Sequence, residues 1–130
     1  MRILSAAICC LIAFPAAAMD CADQTQLGLH KCADAEFQRA DKALNDAYRE
    51  VLRRLAGDER KKQLLRTAEQ AWVAFRDAEC KFAVSSTENG SIHPMETLIC
   101  LADETRKRTK AIEAYLHCEE GDLSCPVPPQ

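Results

Sequence analysis

The chemically versatile residues of this chain are its cysteines, its three histidines and one arginine set among aromatic residues. Cysteines stand at positions 9, 10, 21, 32, 80, 100, 118 and 125. Thiols at this density serve as disulfide partners, zinc ligands or redox nucleophiles, and spacing separates the three uses. No C-x-x-C pair occurs, and His30, His93 and His117 show no ligand spacing, so no metal site and no thiol-redox centre is expected. Ser91 and His93 lie two residues apart in a polar stretch, with Glu88 as a nominal orienting acid. A hydrolytic triad also needs an oxyanion site, and the simpler expectation is that these residues cap a helix. The carboxylate pairs Asp103-Glu104 and Glu119-Glu120 are adjacent in sequence, and adjacent residues on a helix point apart, which makes them poor acid–base couples. Phosphate loops, dinucleotide glycine patterns, H-E-x-x-H and G-x-S-x-G are all missing from the sequence. A non-enzymatic protein without a cofactor is expected.

The cysteines need a compartment before they need a role. Met1 and Arg2 precede the apolar run Ile3 to Phe14, Pro15 breaks it, and Ala16-Ala17-Ala18 supplies small residues. That pattern predicts a cleaved secretory signal over 1–18 and a mature chain over 19–130, placing the protein in the periplasm or outside the cell. Cys21 follows Asp20, where a lipid-attachment signal wants a small residue, and no apolar run reaches the roughly 18 residues of a membrane span, so no membrane anchor is expected. Without the signal, six cysteines remain beside 16 basic and 20 acidic residues, a net charge of −4. An even count in an exported chain predicts three disulfides. A net negative charge argues against nucleic acid as a partner.

The elements that must position these residues are helices. Phe37, Ala40, Leu44, Ala47, Tyr48, Val51, Leu52 and Leu55 recur at steps of three and four, with charges between them. This predicts an amphipathic helix over about 25–56, with Thr25 as its N-cap and Gly57 in the turn beyond it. A second stripe, Leu64, Leu65, Ala68, Ala71, Trp72, Phe75, Ala78 and Phe82, predicts a core-facing helix over 59–84. The polar stretch 85–91 is a loop, Pro94 suits the first turn of a third helix over 94–117, and three prolines prevent any helix in the tail. On this reading all six aromatic residues beyond the signal lie in the core, leaving no stacking platform. The fold class is all-α: an elongated antiparallel three-helix bundle stapled by disulfides, in a single domain.

Register arithmetic pairs the cysteines. A turn near residue 89 or 90 brings Cys80 level with Cys100, and Cys118 and Cys125 close a short loop. Cys21 and Cys32 then meet only if the chain before Thr25 doubles back, because a continuous helix separates them by about 16 Å. Cys32 with Cys80 is the competing pair, and the local set is preferred. The same arithmetic places Arg76, one turn from Trp72, near Asp41 on one side and Glu104 or Thr105 on the other. Asn45 comes opposite Gln70. Trp72, Arg76, Asp77, Asp41 and Asn45 are therefore expected to fix helix alignment rather than to do chemistry. A polar loop bracketed by Cys80 and Cys100 is pre-organised to meet a partner, with Ser91, Ile92, His93 and Met95 at its end and Lys81 at its base.

These residues carry a likeness. Cys21…Cys32, Asp41-x-x-Leu44-Asn45-x-x-Tyr48, Gln70-Ala71-Trp72-x-x-x-Arg76-Asp77-x-x-Cys80, Gly90-Ser91-x-x-Pro94-Met95 and Cys100 resemble the pattern of the LprI-like lysozyme-inhibitor family. Thr105-x-x-Arg108 falls near that family's closing motif, where Arg106 is an alternative for the arginine, and the run from Cys118 to Pro126 is similar to the ending of exported members. The resemblance implies a secreted or periplasmic helical domain with lysozyme as its expected partner. Lysozyme is cationic and works through a carboxylate pair in a cleft, so an acidic protein is steered towards it. The other expectation is a structural or protein-binding module of the cell envelope.

Overall fold

The computed structural model describes residues 21–129. The expected signal segment over 1–18, with Cys9 and Cys10, lies outside the described residues.

Thr25 starts α1 (Gln26–Arg54), its hydroxyl accepting the Gly28 N–H at 3.1 Å. Arg53 and Arg54 occupy the last turn, where cations complement the helix dipole. Gly57 takes a φ of 88°, a left-handed conformation open to glycine, and lets the chain reverse. Asp58 then caps α2 (Glu59–Ala83) by accepting the Lys61 N–H at 2.9 Å. After a 3₁₀ turn at Ser85–Thr87, α3 (His93–Ala114) starts with Pro94 in its first turn and ends in a second 3₁₀ turn, Tyr115–His117. The described residues are all-helical, and successive helices run antiparallel. α1 and α3 therefore run parallel: Cys32 and Ala33 lie beside Met95 and Ile99 at one end, while Arg54 donates to the Leu116 carbonyl at the other.

The α1–α3 seam forms the core. α1 contributes Ala33, Ala40, Leu44, Ala47 and Val51, and α3 contributes Ala102, Thr105, Thr109 and Ile112, both at the alternating steps of three and four that keep one face on a neighbouring helix. Ala33, Ala40 and Ala102 are small enough for close backbone approach. Further along, Leu44, Ala47, Val51, Leu55 and Ile112 form the apolar cluster, closed by Val127 of the tail. A fully buried aliphatic side chain such as Ile112 or Val51 contributes about 1.5–3 kcal/mol. The buried Thr109 hydroxyl donates to the Thr105 carbonyl at 2.9 Å, so it leaves no unsatisfied group.

α2 departs from expectation. Its apolar stripe does not face the core as one band. Leu65 and Trp72 pack on the core cluster and Cys80 is buried, but Leu64, Phe75 and Phe82 are 58%, 55% and 77% exposed. Positions one residue apart on a helix differ by about 100° in direction, so a band that includes both 64 and 65, or 71 and 72, is too wide for one seam. Two of the six aromatic residues assigned to the core are thus on the surface.

Three cysteine pairs stand at disulfide distance, with Cα separations of 5.6 Å for Cys21–Cys32, 5.6 Å for Cys80–Cys100 and 6.0 Å for Cys118–Cys125. The competing Cys32–Cys80 pair does not form. The chain before α1 does double back: Gln24 donates to the Cys21 carbonyl at 3.0 Å, and Asp23 accepts the Thr25 N–H at 2.9 Å. Asp23 occupies the space that a Cβ on Gly28 would need, so this approach requires glycine.

Candidate functional site

Two surfaces draw together the residues singled out in the sequence. The first is the connection between α2 and α3. The Cys80–Cys100 bridge fixes its base, and Val84 is buried above it. Within it Gly90 N–H donates to the Thr87 carbonyl at 2.7 Å, and His93 N–H donates to the Gly90 carbonyl at 3.2 Å. The Thr87 hydroxyl donates to the Val84 carbonyl at 2.9 Å and lies 3.2 Å from His93 Nδ1 and 3.4 Å from a Glu96 carboxylate oxygen. One threonine thereby ties the end of α2 to the first turn of α3.

These bonds sort the five partner-facing candidates. Ser91, Ile92 and Lys81 are exposed. His93 is half-buried against Thr87, and Met95 is half-buried beside Leu29, Cys32 and Ala33 of α1. His93 and Met95 thus hold the loop's base, and the free tip is Glu88 to Ile92. Neither Ser91 nor His93 caps α3, whose N-terminus has no side-chain cap; Pro94 and Glu96 in its first turn suit that end instead.

The second surface is a groove of about 640 Å³ between α1 and α2, lined by Asp41, Asn45 and Tyr48 on one wall and Gln70, Trp72 and Arg76 on the other. Arg76 joins all three helices. Its guanidinium lies 5.2 Å from the Trp72 ring centroid and 5.6 Å from that of Phe37, and Nη1 is 3.4 Å from the Thr105 hydroxyl. Its anion is the adjacent Asp77, reached at 2.9 and 2.8 Å. Asp41 instead accepts from Asn45 within α1, at 3.0 Å. Sequence neighbours on a helix reach each other without spanning a groove, and the open groove separates Asp41 from the guanidinium. Asn45 likewise turns to its own helix rather than across to Gln70.

Arginine contacts between helices were not anticipated from the sequence, and two of them are largely shielded. Arg108 Nε donates to Glu69 at 2.8 Å, joining α3 to α2 with both side chains largely shielded. The register that pairs Cys80 with Cys100 also sets 69 near 108, so the signal was available. Arg106 faces outward, towards Asp103 and Glu36, which makes Arg108 the arginine on the interior side. The second contact is at the far end, where Arg54 donates to the Leu116 carbonyl at 2.9 Å and to Glu50. Hydrogen bonds from Arg53 and Arg54 hold the Glu50 carboxyl down to about 2. Among the described residues, no group of three or more His, Cys, Asp or Glu is placed to hold a metal ion, and no helix is long and apolar enough to cross a membrane.

A family model described as lysozyme inhibitor LprI matches residues 18–112. The chain belongs to the LprI family. It is 32% identical over 108 residues to an uncharacterized protein of Rhizobium meliloti, covering 75% of this chain and 78% of that one. It is 28% identical over 112 residues to the uncharacterized protein YecT of Escherichia coli, covering 75% and 69% respectively. No solved structure matches the chain. The LprI match takes in α1, α2, the braced loop and most of α3, and it stops before the Cys118–Cys125 tail. Both candidate surfaces therefore lie within the LprI-like part of the chain, while Val127, which closes the core, lies outside it.

Proposed function

We propose that this LprI-family chain is exported, binds lysozyme and inhibits it without chemistry of its own, docking through the loop tip Ser91–Ile92 with Lys81 at the loop's base as a further contact. The observation that carries this is a short exposed tip on a loop whose base is fixed by a disulfide bond and by Thr87. Such a loop loses little conformational freedom on docking. Ile92, 40% exposed, offers apolar area, and the Ser91 hydroxyl suits the carboxylate pair of a glycosidase cleft. The net charge of −4 over 19–130 steers the chain to a cationic partner, so association should slow as salt rises. The sequence pattern over 1–18 and an even set of paired cysteines support export.

Titrating the oxidised protein into a lysozyme-driven cell-wall lysis assay tests this directly. Lysis should fall with increasing protein. Full lysis at large molar excess, with no binding measured by calorimetry, would overturn the proposal.

A further inference from the structure

The outward band of α2 has the form of an interface. Leu64, Ala68, Ala71, Phe75, Ala78 and Phe82 follow one another at steps of 4, 3, 4, 3 and 4, all of them exposed. This is the spacing that keeps one face of a helix against a neighbouring helix, here sustained over about 27 Å. α2 already meets α1 and α3 through Leu65, Glu69, Trp72, Arg76 and Cys80. At its N-terminal end the band borders the core, where Leu64 and Ala68 line a cavity with Val51, Leu55, Tyr115 and Val127, but Leu64 is still 58% exposed, and Ala71, Phe75, Ala78 and Phe82 take no part in that cavity. Exposed apolar residues scattered singly need no explanation, but an unbroken heptad-spaced ladder does.

We infer that the occupant is a second copy of this chain, its α2 packed antiparallel on the first about a two-fold axis near residue 73. The order of sizes along the band is self-complementary only in that orientation. Phe75 falls on Ala71 of the second copy and Ala71 on its Phe75, the Ala68–Ala78 pairs allow close approach, and Leu64 meets Phe82 at each end. A parallel pair would instead stack Phe on Phe and Ala on Ala, alternating bulges with gaps. A two-fold contact of this kind is isologous, each residue being used twice.

Charge agrees with shape. Arg60, at the start of α2, and Glu88, just beyond its end, are both exposed and make no ion pair among the described residues. The antiparallel register carries Arg60 of one copy to the loop end of the other, where Glu88 stands, and does so twice. A single helix pair of this length falls below the roughly 800 Å² per partner of a standard interface, which places the dimer in the weak, reversible class. Its two loops would then project at opposite ends. This inference stands whether or not the partner is lysozyme.

Sedimentation equilibrium on the full oxidised chain tests it. The mass should double across the micromolar to sub-millimolar range. Phe75→Glu should weaken association at least about thirtyfold, as loss of a central anchor does, with the far-UV circular dichroism unchanged. Phe82→Glu, at the most exposed of these positions, serves the same purpose if Phe75→Glu perturbs folding. Orientation is read from Ala68→Lys and Ala78→Glu: each alone weakens the dimer, and an equimolar mixture restores it through the 68–78 contact. A monomer throughout the range, a dimer indifferent to both phenylalanine changes, or a mixture that fails to restore association would each overturn the inference.

Discussion

α1 and α3 share a seam in which side chains of small or branched shape disappear from solvent, whereas α2, at 25 residues, buries Cys80 alone to the same degree. What α2 lacks in buried area it has in directional contacts: the Cys80–Cys100 bridge, the Arg108–Glu69 pair and Arg76 between two aromatic rings. The difference teaches how the chain divides its labour. Hydrophobic burial scales with area and makes the α1–α3 pair the stable frame. Covalent and polar links act at single points and fix position, and they orient the helix whose end carries the loop.

The contrast breaks if the two regions respond alike to truncation. Ile112→Ala, at a fully buried position in the seam, should cost about 2–5 kcal/mol in chemical denaturation. Phe75→Ala, in the same assay at low protein concentration, should stay within about 0.5 kcal/mol. Equal losses would show that α2 is packed as firmly as the seam. Replacing Cys80 and Cys100 together by Ala should cost about 3 kcal/mol for the loop they close. Hydrogen exchange sharpens the comparison in this variant: α2 amides should lose protection while those along α1 and α3 keep theirs. The smallest effect concerns acid. Glu50 is held down to about 2 from an ordinary value of 4.5, so it contributes stability above pH 4.5 that is lost as pH falls towards 2. Glu50→Gln should flatten the drop in melting temperature over that window, and only slightly, because Arg53 is open to solvent and Glu50 itself is about one-third exposed, so both pairs are screened.

Much of this architecture was legible in the sequence, and the exceptions share a physical cause. Helical periodicity marked the three helices to within a few residues, because caps such as Thr25 and Asp58 and the turn glycine Gly57 punctuate it. Register offered Cys80 both Cys100 and Cys32, since each hairpin brings a cysteine level with it, and the doubled-back chain before Thr25 selects the preferred local set by holding Cys32 against Cys21. Periodicity could not reveal that the α2 stripe is two bands, one inward and one outward, because hydrophobicity records a preference for burial and not the partner that satisfies it. Arg76 was readable as an alignment residue near Thr105, but its anion was not, because local geometry chose Asp77 over Asp41. Val127 was missed because a proline-rich tail carries no periodic signal. In the loop, composition identified Ser85 to Met95 as the place to look. The inward turn of His93 and Met95 depends on Thr87, whose hydrogen bonds are three-dimensional facts.

The central claim is that the braced loop carries the interaction with lysozyme, and replacing residues 88–92 by a Gly/Ser linker of equal length tests it most directly. The change removes the exposed tip and leaves Thr87, His93 and the Cys80–Cys100 bridge in place. Measured side by side with the unaltered chain, the replaced protein should keep its helical circular dichroism and cooperative unfolding while losing lysozyme binding in calorimetry and inhibition in the lysis assay. Undiminished binding and inhibition in that folded variant would contradict the account.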